Sequence, residues 1–157
     1  MQHVKRKYWR ALQIVTIATV VALAMTARTH AAGLKQFSDF PATETFKGKV
    51  SALSAKAAPE QWSAVRKVEK DIIREEIAGG PNFAGAYYLA TVGCGTNCDA
   101  IFVVDLRNGS IYAAPESASN GVFFQKDSRL IIIKENKDYD LPRAYLVFEQ
   151  GKFQTFK

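Results

Sequence analysis

The chain has 157 residues, with 21 Lys and Arg against 15 Asp and Glu, for a formal net charge of +6. Five of the basic residues and none of the acidic ones lie in the first 31 positions, so the remainder stands near +1 and a nucleic-acid-binding role is excluded. Both histidines, His3 and His30, lie in that same segment, and the rest of the chain lacks the imidazole on which most hydrolytic and metal chemistry depends.

Lys5, Arg6, Lys7 and Arg10 open the chain, Ala11 to Ala27 is an apolar run, and Thr29-His30-Ala31 places small residues at the −3 and −1 positions of a cleavage site. That order is a secretory signal over 1–31. The alternative is a retained anchor, since a run of about 17 residues sits at the short limit for spanning a bilayer. Either way the body of the protein is expected in the periplasm or secreted, with membrane contact confined to this segment. Residues 32–157 then form a single domain, long enough to bury a core without many crosslinks.

Residues 32–58 mix Gly, Lys, Ser, Asp, Pro and Thr with Phe37, Phe40 and Phe46, which predicts an extended arm pinned by aromatics, with a short strand around Thr45 to Leu53. Pro59 and Glu60 suit a first helical turn, and Trp62, Val65, Val68, Ile72 and Ile73 recur near helical spacing. One amphipathic helix is therefore expected over 59–78, ended by Gly79-Gly80-Pro81. Its charged face, with Arg66, Lys67, Glu69, Lys70, Asp71, Arg74, Glu75 and Glu76, is mixed in sign and reads as solvated.

From 83 to 157 the pattern turns to β. Ala84 to Val92 is rich in β-favouring side chains, Ala100 to Leu106 is a continuous apolar run, and Asn108-Gly109 marks a hairpin returning through Ser110 to Ala114. Asn108-Gly109-Ser110 is formally a glycosylation sequon, and the turn is the better account. Val122–Gln125 with Arg129–Glu135, and Arg143–Gln150 with Lys152–Phe156, make two more hairpins. The fold class is α+β: a single helix packed on an antiparallel meander of five or six strands. A pair of propeller-like blades is the structural alternative, although no propeller closes at this length.

Cys94 and Cys98 stand in Gly93-Cys94-Gly95-Thr96-Asn97-Cys98-Asp99, between two expected strands. Two cysteines, an oxidising destination and a turn-rich spacer point to a local disulfide, and the flanking glycines let the backbone fold back far enough. So small a ring removes only about 2 kcal/mol of chain entropy, so local rigidity explains the bridge better than global stability. A rigid tip can enter a partner's cleft at low ordering cost, and a stapled turn with no partner is the plainer account. Two thiolates without histidine do not complete a zinc site, and the three-residue spacer between strands does not fit a thiol oxidoreductase. No metal, cofactor or catalytic residue is assigned.

Asp138, Tyr139 and Asp140 before Pro142 could hold calcium but lack the glycine and terminal glutamate of a calcium loop, so a solvated turn is expected. Asp99 and Asp105 flank the apolar run and could mark a binding rim, with Asp105 also placed to start the Asn108-Gly109 turn. Phe83, Tyr87 and Tyr88 near the loop are contact-surface candidates, although alternation puts at least one of them in the core.

Gly80-Pro81-Asn82-Phe83-Ala84-Gly85, then Gly93-Cys94-Gly95-Thr96-Asn97-Cys98, then a strand ending in Asp and an Asn-Gly turn, resembles a group of small exported proteins of Gram-negative bacteria that carry no assigned activity. The resemblance spans roughly Phe46 to Ala114 and implies location and shape without chemistry. Those proteins commonly have Gly-His-Tyr where this chain has Gly85-Ala86-Tyr87, so a role for that histidine does not transfer. A weaker likeness is to periplasmic inhibitors of vertebrate lysozyme, small α+β proteins with a short disulfide loop whose histidine plugs the lysozyme cleft. Here the spacer is one residue shorter and offers Gly95, Thr96 and Asn97.

The expected function is non-catalytic: an exported binding protein that presents the stapled loop to a protein or envelope component, inhibitor-like in form. Gly95, Thr96, Asn97, Asp99, Phe83 and Tyr87 are its candidate contact residues. A carboxylate-based envelope hydrolase, with two buried acids in one cleft, and a structural accessory of an envelope assembly are the alternatives.

Overall fold

In a computed structural model, which describes residues 34–56, 58–119, 121–134 and 142–156, the apolar run beginning at Ala100 decides the architecture. It forms β2 (Cys98–Asp105), the middle strand of an antiparallel sheet between β1 (Tyr87–Gly95) and β3 (Ser110–Ala118). Ile101 and Val103 point to one face while Phe102 and Val104 point to the other, and all four are buried. Burying such side chains stabilises by about 1.5–3 kcal/mol each, so a sheet apolar on both faces must be covered on both.

Two different layers supply that cover. On one face a second antiparallel sheet, β4 (Val122–Phe124), β5 (Leu130–Lys134), β6 (Pro142–Glu149) and β7 (Lys152–Phe156), packs Ile131, Ile133, Leu146 and Phe148 against Leu89, Ile101 and Val103. On the other, Val65, Ile73 and Ile77 of the helical segment and its connections cover Ala90, Val92, Phe102, Val104 and Ile111. The α+β class holds, within one unit spanning Lys35–Lys157, but the single meander of five or six strands is corrected to sheets of three and four strands. One sheet with one helix would have left an apolar face of β2 in water.

The single helix expected over 59–78 is likewise corrected. The chain forms α1 (Pro59–Ala64) and α2 (Lys67–Glu76), followed by a 3-10 turn, Ile77–Gly79. Val65 breaks them with extended backbone, φ −89° and ψ 125°, and its buried side chain enters the core. Glu69 then restarts the helix by accepting the Arg66 backbone N–H at 2.7 Å. That satisfies one of the otherwise unpaired donors at a helix start.

The first strand begins later than expected, at Tyr87, because Ala84 (φ 45°) and Gly85 (φ 74°) form a tight turn ahead of it. Asn82 acts as a one-residue surrogate strand there. Its side-chain oxygen accepts the Leu89 N–H at 2.7 Å, and its side-chain amide donates to the Leu89 carbonyl at 3.0 Å.

No strand forms over Thr45 to Leu53. Residues 42–54 instead make a strap, with backbone N–H groups of Ala42, Phe46, Ser51 and Ser54 donating to carbonyls of Asp127, Gly85, Leu106 and Gly109. The strap lies so close that a Cβ on Gly85 would sit 1.7 Å from the Glu44 carbonyl oxygen, and one on Gly109 would sit 1.9 Å from that of Ala52. The Asn108-Gly109 hairpin forms as a four-residue connection between Asp105 and Ser110, and of its two central candidates only Gly109 has positive φ. The export segment expected over 1–31 and the Asp138–Asp140 turn lie outside the described residues. Among the described residues no helix is long and apolar enough to cross a membrane.

Candidate functional site

The tip of the β1–β2 hairpin carries the expected disulfide. Cys94 and Cys98 are joined with their Cα atoms 5.1 Å apart. The ladder runs to Gly93 opposite Asp99, slips by one residue at Cys94, and resumes with Gly95 opposite Cys98, leaving Thr96-Asn97 as the turn. Gly95 (φ 143°) and Asn97 (φ 51°) take the unusual backbone values that a tight reversal needs, and both residue types tolerate them. Gly93 through Asn97 are all exposed, while Cys98 and Asp99 are half-buried at the base. Such a tip is held by a covalent ring and two strands, so little of its conformational freedom remains to be lost on contact.

The other proposed contact residues lie elsewhere. Phe83 is fully enclosed, edge-on to Phe124 at 6.3 Å and tilted against Phe148 at the same distance, so it belongs to the core between the sheets. Tyr87 is also buried, its ring edge-on to Phe148 at 5.0 Å. The alternation that makes one of a neighbouring aromatic pair inward-facing selects Tyr87 here and leaves Tyr88 half-buried on the helix side.

Tyr87 instead takes part in a polar cluster at the opposite end of the same hairpin. Asp105, only 4% exposed, accepts from Arg107 three times: from Nε at 2.8 Å, from a terminal guanidinium nitrogen at 2.7 Å, and from the backbone N–H at 2.9 Å. The same guanidinium donates to the Tyr87 hydroxyl at 2.7 Å and pairs with Glu44 of the strap. Burial pushes the Asp105 carboxyl up, with the Arg107 backbone N–H pulling against it. Burial, then the Asp105 charge and Tyr112, push the Tyr87 hydroxyl up to about 12.

A cleft of about 290 Å³ opens beside this cluster, lined in part by Glu44, Tyr87, Arg129 and Glu149. Arg129 pairs with Glu149 at 2.6 Å and donates to the Pro41 carbonyl at 3.0 Å. Each cation here therefore faces an anion of the chain itself. The cluster fastens the strap to the β2–β3 turn.

The second strongly buried carboxylate, Glu69, is held by Arg66 at the start of α2, through the backbone N–H and through Nε at 2.8 Å. Asp105 and Glu69 are thus each bound to their own arginine, and Glu69 lines a different depression, beside Ala100 and Pro115. Two buried acids facing one space is the arrangement a carboxylate hydrolase needs. Among the described residues no group of three His, Cys, Asp or Glu side chains is placed to hold a metal ion.

Sequence reasoning reached Asp105 as the start of a turn but missed Arg107, Glu44 and the Arg129–Glu149 pair. Asp-Leu-Arg within a turn offers a local hint of the Asp105–Arg107 contact. Nothing local announces Glu44, which lies 63 residues away in sequence. Comparison with models of known protein families, with curated proteins and with solved structures found no match. The class these features define is an α+β domain of three layers with one disulfide-closed hairpin tip.

Proposed function

We propose that the chain is a non-catalytic, exported binding protein, periplasmic or secreted, that presents the tip Gly93–Asp99 to a protein or envelope partner. The observation that carries this reading is the contrast along one hairpin. Its base is buried and internally neutralised, whereas its tip is exposed over five consecutive residues and closed by the Cys94–Cys98 bridge. Preorganised exposed loops on rigid scaffolds are where binding function concentrates. An oxidising compartment is consistent with the bridge and with the basic, apolar opening of the sequence.

The test is retention of partners from a periplasmic extract on immobilised protein, comparing the native chain with the Cys94→Ser, Cys98→Ser double variant. The expected result is loss of the bound species at unchanged far-ultraviolet circular dichroism. Identical partners with identical retention would remove the tip from the account. An inhibitor-like role is checked separately, by measuring whether the protein slows lysozyme-driven lysis of bacterial cells.

A further inference from the structure

Antiparallel strands pair with one neighbour through alternate residues and turn the N–H and C=O groups of the others to the opposite side. Every residue from Tyr87 to Gly93 stands opposite one in β2, and because the Leu106 N–H donates to the Ala86 carbonyl, the alternation puts the main-chain groups turned toward β2 at Tyr88, Ala90 and Val92. Tyr87, Leu89, Thr91 and Gly93 therefore turn their main-chain groups to the outer edge. The chain fills the first two itself. Tyr87 pairs with Phe83 and Asn82, and Leu89 pairs with the Asn82 side chain. Thr91 and Gly93 are exposed, and among the described residues no strand lies against them.

Three further observations converge on this stretch. Gly93 has no positive φ, and a Cβ built on it would meet nothing within 4 Å, so neither the turn nor the packing of the chain requires glycine there. A glycine inside a strand often marks a bulge, and the slip at Cys94 adjoins this one, or the close approach of another backbone. β1 also carries neither a charged residue nor a proline, the usual guards of an open edge.

Finally, Ile73 of α2 is buried in the cluster that holds Ala90 and Val92 of β1, with Tyr88 packed against it, and the flank of α2 that carries Glu76 lies toward Tyr88, whose hydroxyl burial and then Glu76 push up. At 100° per residue Ile72 neighbours Glu76 on this flank and Val68 follows one turn earlier. Both are exposed, Ile72 at 38% and Val68 at 55%, although each is a large apolar side chain.

We infer that the outer edge of β1 at Thr91–Gly93, flanked by Ile72 and Val68, accepts an extended, uncharged peptide segment of a protein partner as an added strand. The inference rests on the reading of the adjoining tip as the presented end of the molecule, and it names the kind of partner. Main-chain groups of the peptide pair with Thr91 and Gly93, an apolar side chain lies toward Ile72, and the missing side chain at Gly93 leaves room on the other face. Strand addition draws affinity from the ladder and specificity from alternate side chains.

The probe is a display library of random nine-residue peptides selected on the purified protein, with affinities of the selected peptides measured by calorimetry. Selected peptides should be poor in charge and alternate in apolar residues. Thr91→Pro removes the outward N–H without touching the β1–β2 ladder and should weaken binding by about tenfold or more, while Thr91→Val should stay within about twofold. N-methylation of the peptide at alternate positions should have the same effect as the proline, and the melting temperature of each variant establishes that it is folded.

If no peptide is selected, if folded Thr91→Pro binds as the native chain does, or if the edge is filled by a second copy in sedimentation, the inference is overturned. The two readings separate cleanly. Loss of the periplasmic partner by the double serine variant but not by Thr91→Pro leaves the tip and removes the edge. The converse keeps the edge and removes the tip.

Discussion

Arg107→Ala tests the polar cluster directly. Arg107 closes on both oxygens of Asp105, whose side chain is 6% exposed, while its own side chain is 39% exposed. Removing one partner of a buried ion pair costs about 3–5 kcal/mol. The guanidinium is partly solvated and the residue 107 backbone N–H would remain, so the cost falls to the bottom of that range or below it and about 2–3 kcal/mol is expected near neutral pH.

The loss should also depend on pH with a definite sign. Burial already raises the Asp105 carboxyl, and without the guanidinium it rises further. The folded variant then binds a proton that the unfolded chain releases, so its stability increases as pH falls toward the ordinary carboxylate range. The gap between native and variant should narrow from about pH 7.5 to about pH 5, and adding Asp105→Asn should recover most of the loss. Urea unfolding followed by tryptophan fluorescence at the two pH values measures it. A loss under about 0.5 kcal/mol, or a gap equal at both pH values, would refute the reasoning.

Gly85→Ala should destabilise by about 2 kcal/mol or more, since its φ is 74° and the new methyl would meet the Glu44 carbonyl, whereas Gly93→Ala should change stability by less than about 0.5 kcal/mol. Thermal unfolding of the pair checks this, and equal effects would count against the strap's close approach. Tyr87 has a folded value of about 12 against 10.0. Its proton is kept in the folded state and lost from the unfolded one, so this contribution to stability is full below pH 10.0 and declines toward about 12. Tyr87→Phe should show a shallower alkaline decline in urea midpoint than the native chain, and parallel declines would be the contrary result.

The β hairpins were legible because their signals are local. Asn108-Gly109 and Gly151 mark real reversals, and Gln150 (φ 49°) with Gly151 (φ 78°) makes the two-residue turn between Glu149 and Lys152. The disulfide was legible for the same reason, its two cysteines being close in sequence. The division into two sheets was not, because an apolar run such as Ala100–Leu106 shows that a strand is buried without showing what buries it.

The helix break is not legible in the sequence because Val65 keeps the helical spacing of apolar positions while leaving the helix. Its restart at Arg66 lacks the Ser, Thr, Asp or Asn that advertises an N-terminus. At the polar cluster Asp105 could be placed, but its meeting with Glu44 depends on how the strap crosses the finished sheet.

That strap has a consequence for the order of assembly. Its hydrogen-bond partners lie in segments made long after it: Ala42 donates to the Asp127 carbonyl, and the carbonyl of Pro41, just ahead of it, accepts from Arg129 Nε across 88 residues. Closing loops of that length is entropically unfavourable until later contacts reward it. The β1–β2–β3 meander joins neighbours in sequence and has no such requirement. The strap, made before every strand it crosses, is thus among the last parts of the domain to settle.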